Sequence, residues 1–190
     1  MSAAPPGPHG RGRGSTSCRD RPPSHLVHSE TLKADPLLAL AVFNNPPDEE
    51  IAERLRSIRT IAVVGISEKP YRDSYGVAEY LDEAGYTIVP VNPHMEMWES
   101  HQCFPDLETA QRATRRVGKS IDMIDVFRRP SAVKSVVDQA LGLKIPALWF
   151  QLGVIDWDEA HRAVDHHVWT VMDRCLAVMH RKLIGAPKGH

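Results

Sequence analysis

The ten residues Gly65-Ile-Ser-Glu-Lys-Pro-Tyr-Arg-Asp-Ser74 combine a glycine, two hydroxyls and two long cations directly ahead of a segment with helical periodicity. A helix N-terminus offers unpaired N–H groups and the positive end of its dipole, so this composition suits an anion, phosphate above all. Gly65 would let the backbone come close to a ligand, Ser67 and Ser74 are hydroxyl donors, and Lys69 and Arg72 add charge beside them. The plainer reading of the same residues is a tight turn, a capping serine at Ser74 and solvated charges. Composition alone leaves both open.

Four other short segments carry polar chemistry after apolar runs: Asn92-Pro93-His94, Phe127-Arg128-Arg129, Gln151-Leu152-Gly153 and Asp173-Arg174-Cys175. Paired guanidinium groups such as Arg128 and Arg129 match phosphate oxygens in a planar fork, although Arg129 reads equally well as solvated charge. Asn92 and His94 suit a nucleotide whose ribose carries extra decoration, such as a 3′-phosphate, yet an asparagine before proline is also an ordinary turn residue. Cys175 reads first as a packed thiol and second as a partner for a ligand thiol. Asp173 and Arg174 read as an ion pair fixing the last helix, or Asp173 as its cap. Asp125 lies in an otherwise apolar run and needs a hydrogen bond if buried. No base–nucleophile pair stands among these residues, so they point to binding rather than covalent catalysis.

Two further chemistries are disfavoured. The dinucleotide fingerprint G-x-G-x-x-G is absent, because Gly65 is followed only by Gly76 inside the next helix, and the second strand ends in Val91-Asn92 rather than an acid that would hold a ribose diol. A nicotinamide cofactor, and with it an NAD(P)-dependent oxidoreductase, is therefore the second choice. His161, His166 and His167 do not share a helix face at ligand spacing, and Cys18, Cys103 and Cys175 are odd in number without a CxxC pair. The residues suggest no metal site and no disulfide framework.

The elements that must position these groups alternate strictly between strand and helix from Pro47 onward. Thr60–Gly65, Tyr86–Val91, Ile121–Val126, Pro146–Phe150 and Val168–Met172 read as five strands, continuous and apolar as buried parallel strands are. Helices are expected at Asp48–Ser57, from Ser74 to a left-handed stop at Gly85, and over Asp106–Arg116. Three more are expected: from Pro130-Ser131 to an end at Gly142, from a capping box at Asp156 and Glu159 to His166, and over Arg174–Leu183. This pattern predicts a single α/β domain: a Rossmann-like, doubly wound, parallel five-stranded sheet with helices on both faces. In such sheets ligands lie off the carboxyl ends of the strands, where all the polar segments above fall.

The chain has 190 residues, 42% hydrophobic and 25% charged, with 23 Lys plus Arg against 24 Asp plus Glu. A net charge of −1 supplies no field for nucleic acid or an anionic membrane, so an anionic small molecule must be gripped locally. No membrane span or signal segment is evident, and a cytoplasmic location is expected. Residues 1–47 hold eight of the 15 prolines and the run Arg11–Gly14, and read as a disordered extension, dispensable for folding of the domain over 48–190. Within that extension Leu37, Leu38, Leu40, Val42 and Phe43 form an apolar island able to dock on the domain or begin a helix. Edge strands and the last helix leave room for a homodimer without requiring one.

Five motifs in order, Ile61-Ala-Val-Val-Gly-Ile-Ser67 with Lys69-Pro70 and Ser74, Gly85-Tyr-Thr-Ile-Val-Pro-Val-Asn-Pro93, Ile124-Asp-Val-Phe-Arg128, Trp149-Phe-Gln-Leu-Gly-Val154 and Met172-Asp-Arg-Cys-Leu176, resemble the small stand-alone CoA-binding proteins. These are related to the CoA-binding domain of the succinyl-CoA synthetase alpha subunit. The resemblance spans about 48–183 and implies a domain that binds coenzyme A or an acyl-CoA as a non-catalytic module. Carried over by position, the Gly65–Ser74 loop, with Ile66, Ser67, Lys69, Pro70, Arg72 and Ser74, would meet the phosphates. Asn92 and Pro93 would line the nucleotide side, and Val126, Phe127 and Arg128 would close over it. Family members usually carry a glycine where Trp98-Glu99 stands and a glutamate where Met179 precedes His180. The phosphorylated histidine of the ligase lies in a domain this chain lacks, so ligase activity is not implied.

Overall fold

The computed structural model describes residues 43–187. In chain order its elements are α1 (Asp48–Ser57), β1 (Thr60–Val64), α2 (Asp73–Glu83), β2 (Thr87–Val91), a small hairpin of β3 (Met97–Trp98) and β4 (His101–Gln102), and α3 (Leu107–Arg116). There follow β5 (Met123–Val126), a 3-10 turn over Pro130–Ala132 leading into α4 (Val133–Leu143), β6 (Ala147–Phe150), α5 (Trp157–Asp165), β7 (Trp169–Val171) and α6 (Leu176–Leu183). The five long strands form one parallel sheet in the order β2-β1-β5-β6-β7. This is the expected doubly wound α/β fold, with winding reversed between β1 and β5.

Alternation along each strand divides the core into two layers. Ala62, Val64, Ile124, Val126, Leu148 and Phe150 pack with Ala110 of α3, Val136 and Val137 of α4 and Ala160 of α5. Ile61, Val63, Met123, Ala147 and Trp149 pack on the other face with Ile51 and Leu55 of α1, Leu81 of α2 and Leu176 of α6. Three helices therefore cover each face, which is why every residue of β1, β5 and β6 is buried.

Several helix ends differ from the sequence reading. Ser74 does not cap α2: Arg72 holds the N-cap position without a side-chain cap bond, and Ser74 lies in the first turn with its side chain buried. Gly142 lies inside α4, and the left-handed stop is Lys144 at φ 56°. At the end of α2 the glycine does stop the helix, Gly85 having φ 93°. Asp156 caps α5 by accepting from Glu159 N at 3.1 Å, but Glu159 does not reciprocate and instead binds Arg162. Asp173 neither caps α6 nor pairs with Arg174, since Cys175 is the N-cap residue and Arg174 reaches Asp48 at 3.1 Å.

The extension enters the fold at its end. Phe43 is buried against the α3–α5 face, and its ring meets His161 edge-on. Asn45 donates to Met172 O at 2.8 Å and accepts from Met172 N at 2.7 Å, continuing the hydrogen bonding beside β7. Leu37, Leu38, Leu40 and Val42, and the rest of the expected disordered stretch before Phe43, lie outside the described residues.

In the β3–β4 hairpin, at the position where the resemblance implies a glycine, Glu99 takes φ 48°, a conformation glycine adopts without strain. Tyr75 donates to Glu99 Oε1 at 2.6 Å, a compensation glycine cannot provide, and this bond raises the tyrosine pKa to about 12. The chain after the hairpin returns alongside β2, with Phe104 N on Pro90 O and Asn92 N on Phe104 O.

Candidate functional site: a cleft at the strand ends

β1 and β5 diverge in their connections, and the residues after them meet where winding reverses. Gly65 N donates to Val91 O and Phe127 N to Val64 O, both at 2.9 Å, so the parallel ladder runs one residue past each strand. Gly65 has φ 91°, and a Cβ built on it would overlap the carbonyl oxygen of Phe127. The close approach this glycine permits is between two loops of the chain itself.

Beyond Gly65 the chain crosses the end of the sheet to α2. Lys69 N donates to Ser67 Oγ and Arg72 N to Lys69 O, which folds the loop into successive turns. Asn92 braces it from the neighbouring strand: its Nδ2 donates to Ile66 O at 2.7 Å while its Oδ1 accepts from His94 N at 3.0 Å. The turn reading of Asn92 is thus present in the structure, and its amide positions the loop.

Over these loops lies a cleft of about 1170 Å³. Gly65, Ile66, Ser67, Lys69, Pro70, Arg72, Ser74, Asn92, Phe127 and Arg128 all line it. Two expected residues do not: Val126 is wholly buried in the α3–α5 layer, and Pro93 is exposed on the turn outside the lining. The lining also includes Tyr80 and Arg181, which the sequence reading did not single out. Arg181 follows Ala177 and Val178 at helical spacing on α6, a stripe that would have identified it had the last helix been read for its outward face.

The electrostatics of the cleft are one-sided. Lys69, Arg72, Arg128, Arg129 and Arg181 line it against the acids Glu68 and Asp73, and none of the five cations forms an ion pair among the described residues. Arg181 lies over the Tyr80 ring at 4.7 Å and Arg72 over Tyr71 at 5.8 Å, contacts that hold guanidinium groups without neutralising them. Asp73, Ser74 and Gly76 of the first turn of α2 line the same space; Arg72 gives no side-chain cap, and its carbonyl accepts from Tyr75 N and Gly76 N. Ser74, 6% exposed, lines the cleft with a hydroxyl that makes no hydrogen bond within the described residues.

Beneath the cleft lies a buried polar pair. Asp125 points from β5 toward the α2–α6 side and accepts from Gln151 Nε2 at 2.8 and 3.0 Å. Burial pushes its carboxyl up to about 8, against the bonds from Gln151 and the Val126 amide that favour the charged form. Gln151 Oε1 in turn accepts from Leu176 N at the start of α6. Cys175, half-buried, lines the cleft beside this network. Cys103, away from the cleft, is buried, and burial raises its thiol. Among the described residues no group of three or more His, Cys, Asp or Glu side chains is placed to hold a metal ion.

A cationic cleft at the topological switch of a doubly wound parallel sheet is the arrangement of a Rossmann-like α/β domain. Residues 59–181 match the CoA binding domain family, and the chain belongs to that family. It is 34% identical over 139 residues to the uncharacterized protein YneT of Bacillus subtilis (strain 168), covering 73% of this chain and 97% of YneT. Among solved structures it is similar to Prb, the PH1109 protein redesigned for binding, with a TM-score of 0.68 and 30% identity over 78% of this chain and 99% of that one. It is also similar to a hypothetical protein from Pyrococcus horikoshii OT3, with a TM-score of 0.66 and 31% identity over 74% of this chain and 94% of that one. No helix among the described residues is long and apolar enough to cross a membrane.

Proposed function

We propose that the cleft binds coenzyme A or an acyl-CoA and that the domain acts as a non-catalytic binding module. The observation that carries this reading is the convergence of five unpaired cations, the start of α2 without a side-chain cap and the unpartnered Ser74 hydroxyl on one cleft. That donor set fits a diphosphate with a further phosphate nearby: the amides and Ser74 take the diphosphate, Lys69, Arg72 and Arg128 neutralise it, and His94 stands beside the β2 turn for a ribose phosphate. Coenzyme A supplies a thiol for acyl groups; the residues of this chain hold and orient it. Nothing at the rim pairs a nucleophile with a base, so the module's role is to hold, protect or present the coenzyme in the cytoplasm.

An NAD(P)-dependent oxidoreductase is the weaker reading. Both ends of the Asn92 amide are engaged with Ile66 and His94, and no carboxylate ends β2 to bind a ribose diol. Calorimetric titration with CoA, dephospho-CoA, NADH and NADPH decides between them. Binding of CoA at least tenfold tighter than either nicotinamide is expected, and the reverse order would overturn the proposal.

A further inference from the structure

The cleft has a second chemical character. Leu152 and Val154 after β6, with Ala177 and Val178 on α6, form an apolar stretch of the same cavity that also carries Lys69, Arg72 and Ser74, with Arg181 one turn along α6 from Val178. Leu152 is 69% exposed and Val178 56% exposed, so both side chains are open to cover an apolar group in the cavity.

Leu152 is not on a loose loop. Val154 N donates to Gln151 O at 2.8 Å across a turn whose third residue, Gly153, has φ 81°. Asp173, itself at φ 56°, accepts from Gly153 N at 2.8 Å, and Gln151 is anchored below to Asp125. A non-glycine residue held in the left-handed region costs free energy, and here the carboxylate it carries clamps the turn that presents Leu152. The apolar wall is therefore pre-organised.

Position across the sheet says what this wall would meet. Leu152 and Val154 follow β6, two strands from β1, which at about 4.8 Å per strand is roughly 10 Å from the phosphate end, and Ala177 and Val178 reach the same cavity from α6. A ligand touching both ends is elongated, anionic at one end and apolar at the other. Resting on the reading of the cleft as a CoA site, we infer that Leu152, Val154, Ala177 and Val178 form an acyl subsite, and that the ligand is an aliphatic CoA thioester rather than free CoA.

The test is calorimetry on the full chain with CoA, acetyl-CoA, butanoyl-CoA and hexanoyl-CoA. Affinity should rise about two- to fourfold per added methylene until the wall is covered. In Leu152→Ala with Val178→Ala the rise should flatten. The readout is the ratio of hexanoyl-CoA to CoA affinity within each protein, so any general change in binding divides out. Both side chains are exposed enough that the fold should survive, which the melting temperature checks. Tight CoA binding with no dependence on chain length overturns the acyl subsite alone, whereas failure of every CoA species to bind overturns the cleft reading and the subsite with it. Loss of a dimer in the double variant with the chain-length ratio intact would assign the wall to a second copy of the chain and overturn the subsite.

Discussion

Gln151, which lines the cleft, donates through one amide nitrogen to both carboxylate oxygens of Asp125, which lies beneath it out of reach of water. The pair joins β5 to the turn after β6 and, through Gln151 Oε1, to the first amide of α6. It thus ties the two walls of the cleft to the centre of the sheet.

Because burial raises the Asp125 carboxyl to about 8 from 3.8, the folded state holds a proton that the unfolded chain releases. Between about pH 4 and 8 the folded state binds more protons, so this group's contribution to stability is full below pH 4 and is lost as pH rises through 8. Asp125→Asn removes the titration. Its melting temperature should change less between pH 5 and 9 than that of the parent, with the advantage to the variant at the alkaline end. Equal slopes by scanning calorimetry would show that Asp125 titrates normally.

Gly65 tolerates no side chain, for two independent reasons: its φ of 91° and the Phe127 carbonyl where a Cβ would go. Gly65→Ala should destabilise the domain by at least about 2 kcal/mol, because strain and a clash with backbone cannot be relieved by a rotamer change. Chemical denaturation measures this. A loss under 0.5 kcal/mol would mean the β1 and β5 loops are not packed as described.

Strand positions were legible because β-branched runs buried on both faces leave little ambiguity of type, and the residues after them carried the charge that marks the cleft. The helix starts were less legible. Ser74 has the chemistry of a cap, but the preceding turn over Lys69–Arg72 places Arg72 at that position and leaves the serine two residues further on, inside the first turn. Lys144 takes the left-handed stop that glycine favours, with Lys144 N on Leu141 O and Ile145 N on Ala140 O closing the end of α4. Arg181 and Tyr80 were not legible because they enter the cleft from helix faces, where no loop motif marks them.

The last residues before α1 belong to the packed unit. Asn45 makes two hydrogen bonds with the Met172 backbone, and Phe43 is 8% exposed. Asn45→Ala should cost about 1–3 kcal/mol, since two part-buried backbone groups lose their partner. A chain beginning at Asp48 should still fold but melt several degrees lower than one beginning at Ala41. Identical melting temperatures would show that residues 43–47 add nothing.

Lys69 and Arg72 are exposed and unpaired, so their removal should leave the fold alone. The double variant Lys69→Ala, Arg72→Ala is expected to weaken CoA binding roughly tenfold at low salt and less at high salt, with the melting temperature nearly unchanged. Unaltered affinity would remove these side chains from the phosphate grip.

Asn92 offers a sharper test of which nucleotide the cleft is built for. Asn92→Asp keeps the oxygen that accepts from His94 N, but puts a second oxygen against Ile66 O and adds a negative charge where β2 ends. Loop displacement would weaken every ligand alike, so the informative quantity is the ratio of CoA to dephospho-CoA affinity within each protein. If a 3′-phosphate sits beside the β2 turn with His94, the added carboxylate repels it, and the preference for CoA should fall several-fold in the variant. The same carboxylate is the group a ribose diol would choose, so NADH binding gained in Asn92→Asp, with the CoA ratio unmoved, would show that the cleft accepts a nicotinamide dinucleotide and lacks only its acid.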